Sequence, residues 1–127
     1  ADSWTLVAQM NSNLRFLSGE FLPDGRILAT GGVAGSSLFV NSAKIYDPTA
    51  DTWIAAASMA QGRARFVTAP LLDGRILAAG GWQGSNVSLA TAEVYDPVAD
   101  SWSATGPMQA ARRFHAGTRL PDGRVLV

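Results

Sequence analysis

Arginine is the residue type whose spacing in this chain of 127 residues suggests ligand chemistry. A guanidinium presents a planar fork of N–H donors, so several arginines on one surface suit carboxylate ligands, which they can bind through paired hydrogen bonds. The alternative is that some of these side chains pair with neighbouring segments or are solvated. The candidate ligand-binding arginines each follow a methionine within six residues: Arg15, Arg63, Arg65, Arg112 and Arg113.

Catalytic chemistry would have few of the residues it needs. The chain has one histidine, His115, and no cysteine, which excludes disulfides, thiol chemistry and a metal site built from these two residue types. A Ser-His-Asp triad would depend on that one histidine, and no G-x-S-x-G elbow is present. We therefore predict no catalytic residue, no metal and no cofactor, and we interpret His115 as structural.

The carboxylates recur at equivalent positions, which indicates a structural role. Three aspartates begin an Asp-Gly-Arg turn and others lie in Asp-Pro-x-x-Asp turns, where the side chain can accept hydrogen bonds from backbone N–H groups. Calcium at the Asp-Pro-x-x-Asp turns is the alternative. The segments GGVAGSS and GGWQGSN lack the Gly-Lys-Ser/Thr of a phosphate loop and precede no predicted helix, so we interpret them as connections between strands.

Trp82 is the remaining candidate ligand-binding residue. Its position does not repeat, since the equivalent residue 49 positions earlier is Val33. An indole ring exposed in a loop could stack on a sugar or contact a protein partner. The alternative is that the ring packs on its own loop.

Charge and hydropathy exclude two classes of partner. Ten basic and ten acidic residues give a formal net charge of zero, which argues against nucleic acid and anionic membranes. No apolar run approaches the roughly 20 residues that a membrane helix needs. We therefore predict neither a nucleic-acid nor a membrane partner, and the sequence leaves the cellular compartment open.

The chain is built from a repeat of 49 residues. Trp4, Trp53 and Trp102 follow this spacing, and so do the methionines and the Asp-Gly-Arg turns. Residues 10–58 align with 59–107 without a gap at 20 identical positions of 49. A period near 50 residues indicates a propeller or a solenoid.

Each unit contains four predicted strands, which we label a to d. Strand a covers 16–22, 65–71 and 114–120, and an Asp-Gly turn joins it to strand b, which ends at a Gly-Gly pair in the two units that include it. Strand c has the alternating pattern of SAKIYD and TAEVYD, and proline follows it. Strand d carries the repeated tryptophan.

The combination of Gly-Gly, Tyr-Asp-Pro-x-x-Asp-x-Trp and a following methionine resembles the kelch repeat over essentially the whole chain. The resemblance implies an all-β fold of four-stranded antiparallel propeller blades, with an incomplete propeller in one chain because propellers typically have four to eight blades. We divide the chain into an orphan strand d (1–9), a blade (10–58), a second blade (59–107) and a partial blade (108–127). The residues expected to hold the blades together, with both complete-blade tryptophans largely buried, are Trp4, Gly31, Gly32, Tyr46, Trp53, Gly80, Gly81, Tyr95 and Trp102.

Function follows from the faces of such a propeller. Because successive strands alternate in direction, the d–a and b–c connections share one face and the a–b and c–d turns share the other. The arginines and Trp82 lie on the first face, which predicts a non-catalytic scaffold for an acidic peptide or a glycan. The resemblance also leaves two alternatives open: a fragment of a secreted carbohydrate-active enzyme of galactose-oxidase type, and a purely self-assembling structural unit.

The incomplete strand set predicts a partner. One chain offers eleven strands, so two chains offer 22 of the 24 that six blades require. We expect either self-association, with a dimer favoured, or the remainder of a longer propeller. In the dimer, residues 1–8 would dock into the partial blade of the other copy.

Overall fold

The computed structural model describes residues 3–127, and within this range it contains thirteen β-strands and no helix. None of these residues forms a helix that could cross a membrane. The strands form four antiparallel sheets, two with four strands, one with three and one with two. The structure therefore confirms the predicted all-β fold and the incomplete propeller.

The two four-stranded sheets are complete blades with the same order of strands. Each runs a-b-c-d in space, and every neighbouring pair is antiparallel. The first blade consists of β2 (Ser18–Phe21), β3 (Ile27–Thr30), β6 (Ala43–Asp47) and β7 (Thr52–Ala56). The second blade consists of β8 (Val67–Pro70), β9 (Ile76–Ala79), β10 (Ala92–Asp96) and β11 (Ser101–Thr105).

Two smaller sheets complete the architecture. Strands a and b of the third unit pair as β12 (Thr118–Arg119) and β13 (Val125–Leu126). In the first unit, the d–a connection pairs with the b–c loop through β1 (Leu14–Arg15), β4 (Val33–Ala34) and β5 (Leu38–Phe39). This small sheet brings the two kinds of connection together on one face of the blade.

Strand a is shorter than predicted in every unit, and the backbone explains the difference. The expected first residues Phe16, Arg65 and Phe114 have φ angles of 60°, 54° and 56°. Such left-handed backbone cannot belong to an extended strand. The strand therefore begins at Ser18, Val67 and Thr118, two to four residues later than the hydrophobic pattern indicates.

The aspartates close turns, as expected from their recurrence. Asp24 accepts hydrogen bonds from the N–H of Arg26 (3.0 Å) and from its Nε (2.8 Å), and the other two Asp-Gly-Arg turns repeat both contacts. The backbone N–H of Arg26 and its guanidinium lower the pKa of Asp24 below its ordinary value. Asp47 accepts from the N–H groups of Thr49 and Ala50 in the c–d turn.

The Gly-Gly pairs lie where the b–c loop touches the following d–a connection. Gly31 and Gly80 have φ angles of 69° and 67°. A Cβ on Gly31 would lie 2.5 Å from the carbonyl oxygen of Arg63, and one on Gly80 would lie 2.8 Å from that of Arg112. Glycine is required here both by backbone conformation and by close approach.

The core lies between the two complete blades. Leu28 and Ile45 of the first blade pack with Ile76 and Tyr95 of the second, and all four are buried. Trp102 packs against this cluster and against a second one formed by Met59, Phe66 and Ala78. Trp102 and Trp53 are partly buried, so most of each side chain is covered although neither is fully enclosed.

A set of hydrogen bonds that we call the blade joint ties each complete blade to the end of the preceding strand d. Trp102 Nε1 donates to the carbonyl oxygen of Ala57 at 2.8 Å, and the Ala57 N–H donates to Asp100 Oδ1 at 2.9 Å. The Tyr95 hydroxyl donates to the same carboxylate at 2.7 Å. The Ala57 N–H and then the Tyr95 hydroxyl lower the pKa of Asp100. Burial and then the Asp100 carboxylate raise the pKa of Tyr95.

The same joint holds the segment before the first blade. Trp53 Nε1 donates to Ala8 O at 2.8 Å, and the Ala8 N–H donates to Asp51 Oδ1 at 2.7 Å. Ala8 therefore lies where a strand d ends, although residues 3–9 form no strand because no strand c lies beside them. Trp4 is fully exposed in the chain. The first two residues of the expected orphan strand lie outside the described residues.

Candidate functional site

The d–a connections and b–c loops lie on one face, as the alternation of strand directions predicts. In the first unit β1 pairs with β4, and in the second unit the equivalent residues Ala64 and Trp82 form an isolated bridge. Trp82 also bridges to Ser88. The loop that carries Trp82 is thus hydrogen-bonded to the connection that carries Arg63 and Arg65.

Three equivalent residues of successive units, Phe16, Arg65 and Phe114, form a feature that we call the arginine–aromatic stack. Their backbones bond to one another: the Arg65 N–H donates to Phe16 O at 3.1 Å, and the Phe114 N–H donates to Arg65 O at 3.1 Å. All three are left-handed, a conformation that costs a non-glycine residue about 1–3 kcal/mol and concentrates at functional sites.

The Arg65 guanidinium lies between the two phenyl rings. Its Cζ is 3.5 Å from the centroid of Phe16 and 4.1 Å from that of Phe114. Cation–π contacts extend to about 6 Å, so both rings hold the cation closely. Phe114 remains 63% exposed. The faces of the guanidinium are therefore covered by aromatic carbon. Its Nε is buried without a hydrogen-bond partner, so the two terminal nitrogens are the candidates to meet a ligand.

Arg113 and Trp82 flank the stack. Arg113 Cζ lies 5.7 Å from the Trp82 ring and 6.0 Å from Phe114, and its Nη2 bonds to Asn86 Oδ1 at 3.3 Å. The Trp82 ring is half-buried and meets Phe39 edge-on, with centroids 4.8 Å apart. The Trp82 ring therefore packs against neighbouring loops instead of standing fully exposed for stacking on a ligand. Arg65 Cζ lies 5.7 Å from the ring.

The guanidinium groups of Arg15 and Arg63, which were also predicted to bind ligand, bond to other parts of the chain. The guanidinium of Arg15 donates to the carbonyl oxygens of Gly35 and Ser36, at 2.6 and 3.0 Å, and lies 5.7 Å from the Phe16 centroid. Arg63 is completely buried, and its Nη2 pairs with Glu93 Oε1 at 2.8 Å. Its Nη1 donates to the carbonyl oxygens of Gly80 and Thr91. The hydrogen-bond partners of the Arg63 guanidinium therefore lie inside the second unit, and this side chain does not face a ligand.

Arg112 is half-buried and lies beside His115. Its Nη1 donates to Val127 O at 3.0 Å. Burial and the positive charge of Arg112 lower the pKa of His115 below its ordinary 6.5. The histidine is half-buried at the position equivalent to Phe66, and Gly80 packs closely against its ring.

Replacing His115 with Phe should remove a pH dependence of stability. Because the folded pKa is lowered, folding favours the neutral imidazole; this stability is complete above pH 6.5 and is lost as pH falls through the folded pKa. The midpoint of urea unfolding should therefore fall between pH 7.5 and 5.5 in the parent and less in His115→Phe. Equal slopes in both proteins would contradict this role. Asp24, Asp51 and Asp100, with pKa values below 3.8, act at lower pH.

Sequence reasoning missed the aromatic half of the stack and the acidic partner of Arg63. Phe16, Arg65 and Phe114 alternate at one repeat position, and this alternation is visible in the sequence. The sequence gives a weaker indication that Arg63 pairs with Glu93. The equivalent residues of the first unit are Leu14 and Lys44, so both positions differ between the two units.

The structure was also searched for side chains that could act as metal ligands. Within residues 3–127, no group of three or more His, Cys, Asp or Glu side chains lies close enough to hold a metal ion.

Comparison with known proteins identifies the repeat. No curated protein matches the chain. Among solved structures, a fungal alcohol oxidase of the AA5 family in complex with copper is similar over 91% of this chain, with a TM-score of 0.79 and 18% identity, which shows a common fold. The chain spans 27% of that structure's length. The model of the Kelch motif matches residues 23–60 and 63–109, and the chain belongs to the kelch family.

Proposed function

We propose that this kelch segment is a non-catalytic binding scaffold whose arginine–aromatic stack, with Arg113, binds a carboxylate of an acidic peptide or an acidic glycan. The observation that carries the proposal is the position of Arg65 between Phe16 and Phe114. With both faces covered and Nε buried, the guanidinium has its two terminal nitrogens to offer, and a carboxylate can accept two parallel hydrogen bonds from them.

Charge supports the same ligand class. The ion pairs found within residues 3–127 involve Arg26, Arg63, Arg75 and Arg124. Arg65 and Arg113 are outside this set, so their charges are available on the loop face. The neighbouring rings also exclude water from one side of a bound carboxylate, which strengthens a charge-assisted hydrogen bond.

Substituting Arg65 and Arg113 tests the proposal. We expect Arg65→Ala/Arg113→Ala to weaken binding of an oligoglutamate peptide or of oligogalacturonate by about tenfold or more, since each charged hydrogen bond contributes about 1.5–3 kcal/mol. Arg65→Lys should also bind more weakly, because an ammonium cannot present a planar fork. Affinity is measured by isothermal titration at low salt.

The matched control is Arg75→Ala/Arg124→Ala, which removes the same charge from two a–b turns where each arginine pairs with its own aspartate. It should leave affinity nearly unchanged. Equal losses in both double variants would show a nonspecific charge effect and contradict the proposed site. Binding that survives loss of Arg65 and Arg113 would do the same.

A second candidate follows from the structural neighbour, whose description names an alcohol oxidase with copper. At 18% identity the similarity supports the fold alone, and the donor set of residues 3–127 does not fit a copper site. An oxidase function for a longer protein containing this segment would be tested by copper content and alcohol-dependent peroxide release.

A further inference from the structure

Each a–b turn contains an Asp-Gly pair, in which aspartate isomerises readily because glycine has no side chain to hinder its own nitrogen. The glycine nitrogen attacks the aspartate Cγ, and one carboxyl oxygen leaves as water to give a five-membered succinimide. Water then opens either carbonyl group, so the net reaction consumes no water and needs no other reactant. Opening at the main-chain carbonyl gives isoaspartate, whose backbone runs through Cβ and Cγ. The candidate positions are Asp24, Asp73 and Asp122.

The a–b turn of the second unit lies between the equivalent turns of the other two units and is open to solvent. A Cβ on Gly74 would lie 2.9 Å from Pro23 Cγ, and one on Gly123 would lie 2.5 Å from Leu72 Cδ1. The Asp73 side chain is 51% exposed. The turn is therefore packed on both sides, and its carboxyl group is accessible to the water that the reaction needs.

Both reacting groups of this turn are hydrogen-bonded to other partners. The Gly74 N–H donates to Leu71 O at 3.2 Å. Asp73 Oδ1 accepts from the Arg75 N–H at 3.1 Å, and Oδ2 accepts from Arg75 Nε at 2.8 Å and lies 2.7 Å from Nη2. Attack requires the carboxyl group to leave these donors and turn its Cγ toward the Gly74 nitrogen. The Arg75 side chain therefore holds the electrophile in an unreactive position.

Arg75 also favours the less reactive form of the carboxyl group. One carboxyl oxygen leaves as water, so the group reacts from its protonated form, and a carboxylate is a poor electrophile. The Arg75 side chain and then its N–H lower the pKa of Asp73 below its ordinary 3.8. The protonated fraction at neutral pH is therefore smaller than in an unpaired aspartate.

The other two turns repeat this arrangement. Asp24 accepts from the N–H and Nε of Arg26, and Asp122 accepts from the same two groups of Arg124. In both turns the glycine N–H donates to the leucine carbonyl oxygen three residues earlier, at 3.0 Å. Arginine follows every Asp-Gly pair of the chain. The same protection is therefore available wherever the reactive pair occurs.

We infer that Asp73-Gly74 is a site of spontaneous isomerisation that Arg75 suppresses, and that the arginines of the other two turns suppress the reaction there. The modification would insert one backbone carbon between Asp73 and Gly74 and displace the Gly74 N–H from Leu71 O. The turn between strands a and b would then lose the hydrogen bond that closes it. This role is independent of the arginine–aromatic stack and of any ligand.

Arg75→Ala in the full chain tests the inference. Folded parent and variant are kept in mildly acidic buffer at physiological temperature and digested with pepsin, and isoaspartate at each turn is quantified by mass spectrometry with electron-transfer fragmentation. Isomerisation at Asp73 should be about two- to fivefold faster in the variant, the factor expected when a half-exposed charged contact is lost. Asp24 keeps its arginine in the same molecule and should isomerise at the rate of the parent.

Arg26→Ala is the matched control, and it should move the increase from Asp73 to Asp24. The peptides PLLDGRIL, residues 70–77, and PLLDGAIL should both isomerise faster than the folded parent and at equal rates, because no folded turn holds the arginine against the carboxylate.

Three results would overturn the inference. One is an equal rate at Asp73 in the parent and in Arg75→Ala. Another is a faster rate at Asp24 as well as at Asp73 in Arg75→Ala, which would show a general loosening of the fold. The third is faster isomerisation of the alanine peptide than of the arginine peptide, which would show that arginine acts through the local sequence and not through the folded turn.

Discussion

Replacing Arg63 with Leu will lower the free energy of unfolding by about 3–5 kcal/mol, the cost of leaving one member of a buried ion pair without the other. Both side chains are buried, at 0% and 6% exposure, and the substitution would leave the Glu93 carboxyl group with two N–H groups and no cation. The carbonyl oxygens of Gly80 and Thr91 would lose their donor as well. Urea unfolding followed by tryptophan fluorescence measures the loss.

The chain supplies its own rescue and control for this experiment. Arg63→Leu/Glu93→Lys recreates the Leu14 and Lys44 combination of the first blade, so it should recover a substantial part of the lost stability. Arg112→Leu removes an equivalent arginine that is half-buried and makes one hydrogen bond to Val127, and it should cost under about 1.5 kcal/mol. A similar loss in both single variants would contradict the burial argument.

Replacing Trp102 with Ala will cost about 3–5 kcal/mol, the range for large aromatic side chains deleted from a packed site. The ring contacts both hydrophobic clusters, lies 5.1 Å from the Tyr95 centroid, and donates to Ala57 O across the blade joint. Its loss therefore opens the core and removes a hydrogen bond between blades. The effect is measured as a shift of the urea midpoint at constant slope.

Trp4 is the matched control for this second experiment. It occupies the same repeat position and is fully exposed in the chain, so Trp4→Ala should change stability by under about 0.5 kcal/mol. A large loss from Trp4→Ala would mean that residues around it pack in solution against something the single chain lacks, such as the second copy considered above.

The fold was largely predictable because each blade repeats the same short-range chemistry. Asp-Gly-Arg turns, Gly-Gly pairs and the Tyr and Trp of strands c and d act within one unit, so their spacing of 49 residues locates them. The positions of the arginines after the methionines also located them in the d–a connections, which share a face with the b–c loops. What these features share is that the residues involved lie close together in the chain or recur in register.

The details of the site depended on contacts that no local pattern contains. Left-handed backbone at Phe16, Arg65 and Phe114 turns their side chains toward one another, whereas the hydrophobic pattern indicated an ordinary strand. Arg63 is buried because Glu93, 30 residues away, reaches it. In both cases tertiary contacts override the local preference of the sequence. The spacing of residue types along the chain does not contain this information.

The blade joint has a consequence for how such a chain can change over generations. Asp100 and Trp102 bond to Ala57 with the same atoms that Asp51 and Trp53 use on Ala8, and in both joints a tyrosine hydroxyl donates to the aspartate. If a whole 49-residue unit were duplicated or deleted, the same blade joint could therefore form on both sides of the change. In repeat proteins stability is roughly a sum over units and their interfaces. Recombination can therefore change the number of units while each blade joint is preserved. Residues equivalent to Arg65 are then free to diversify.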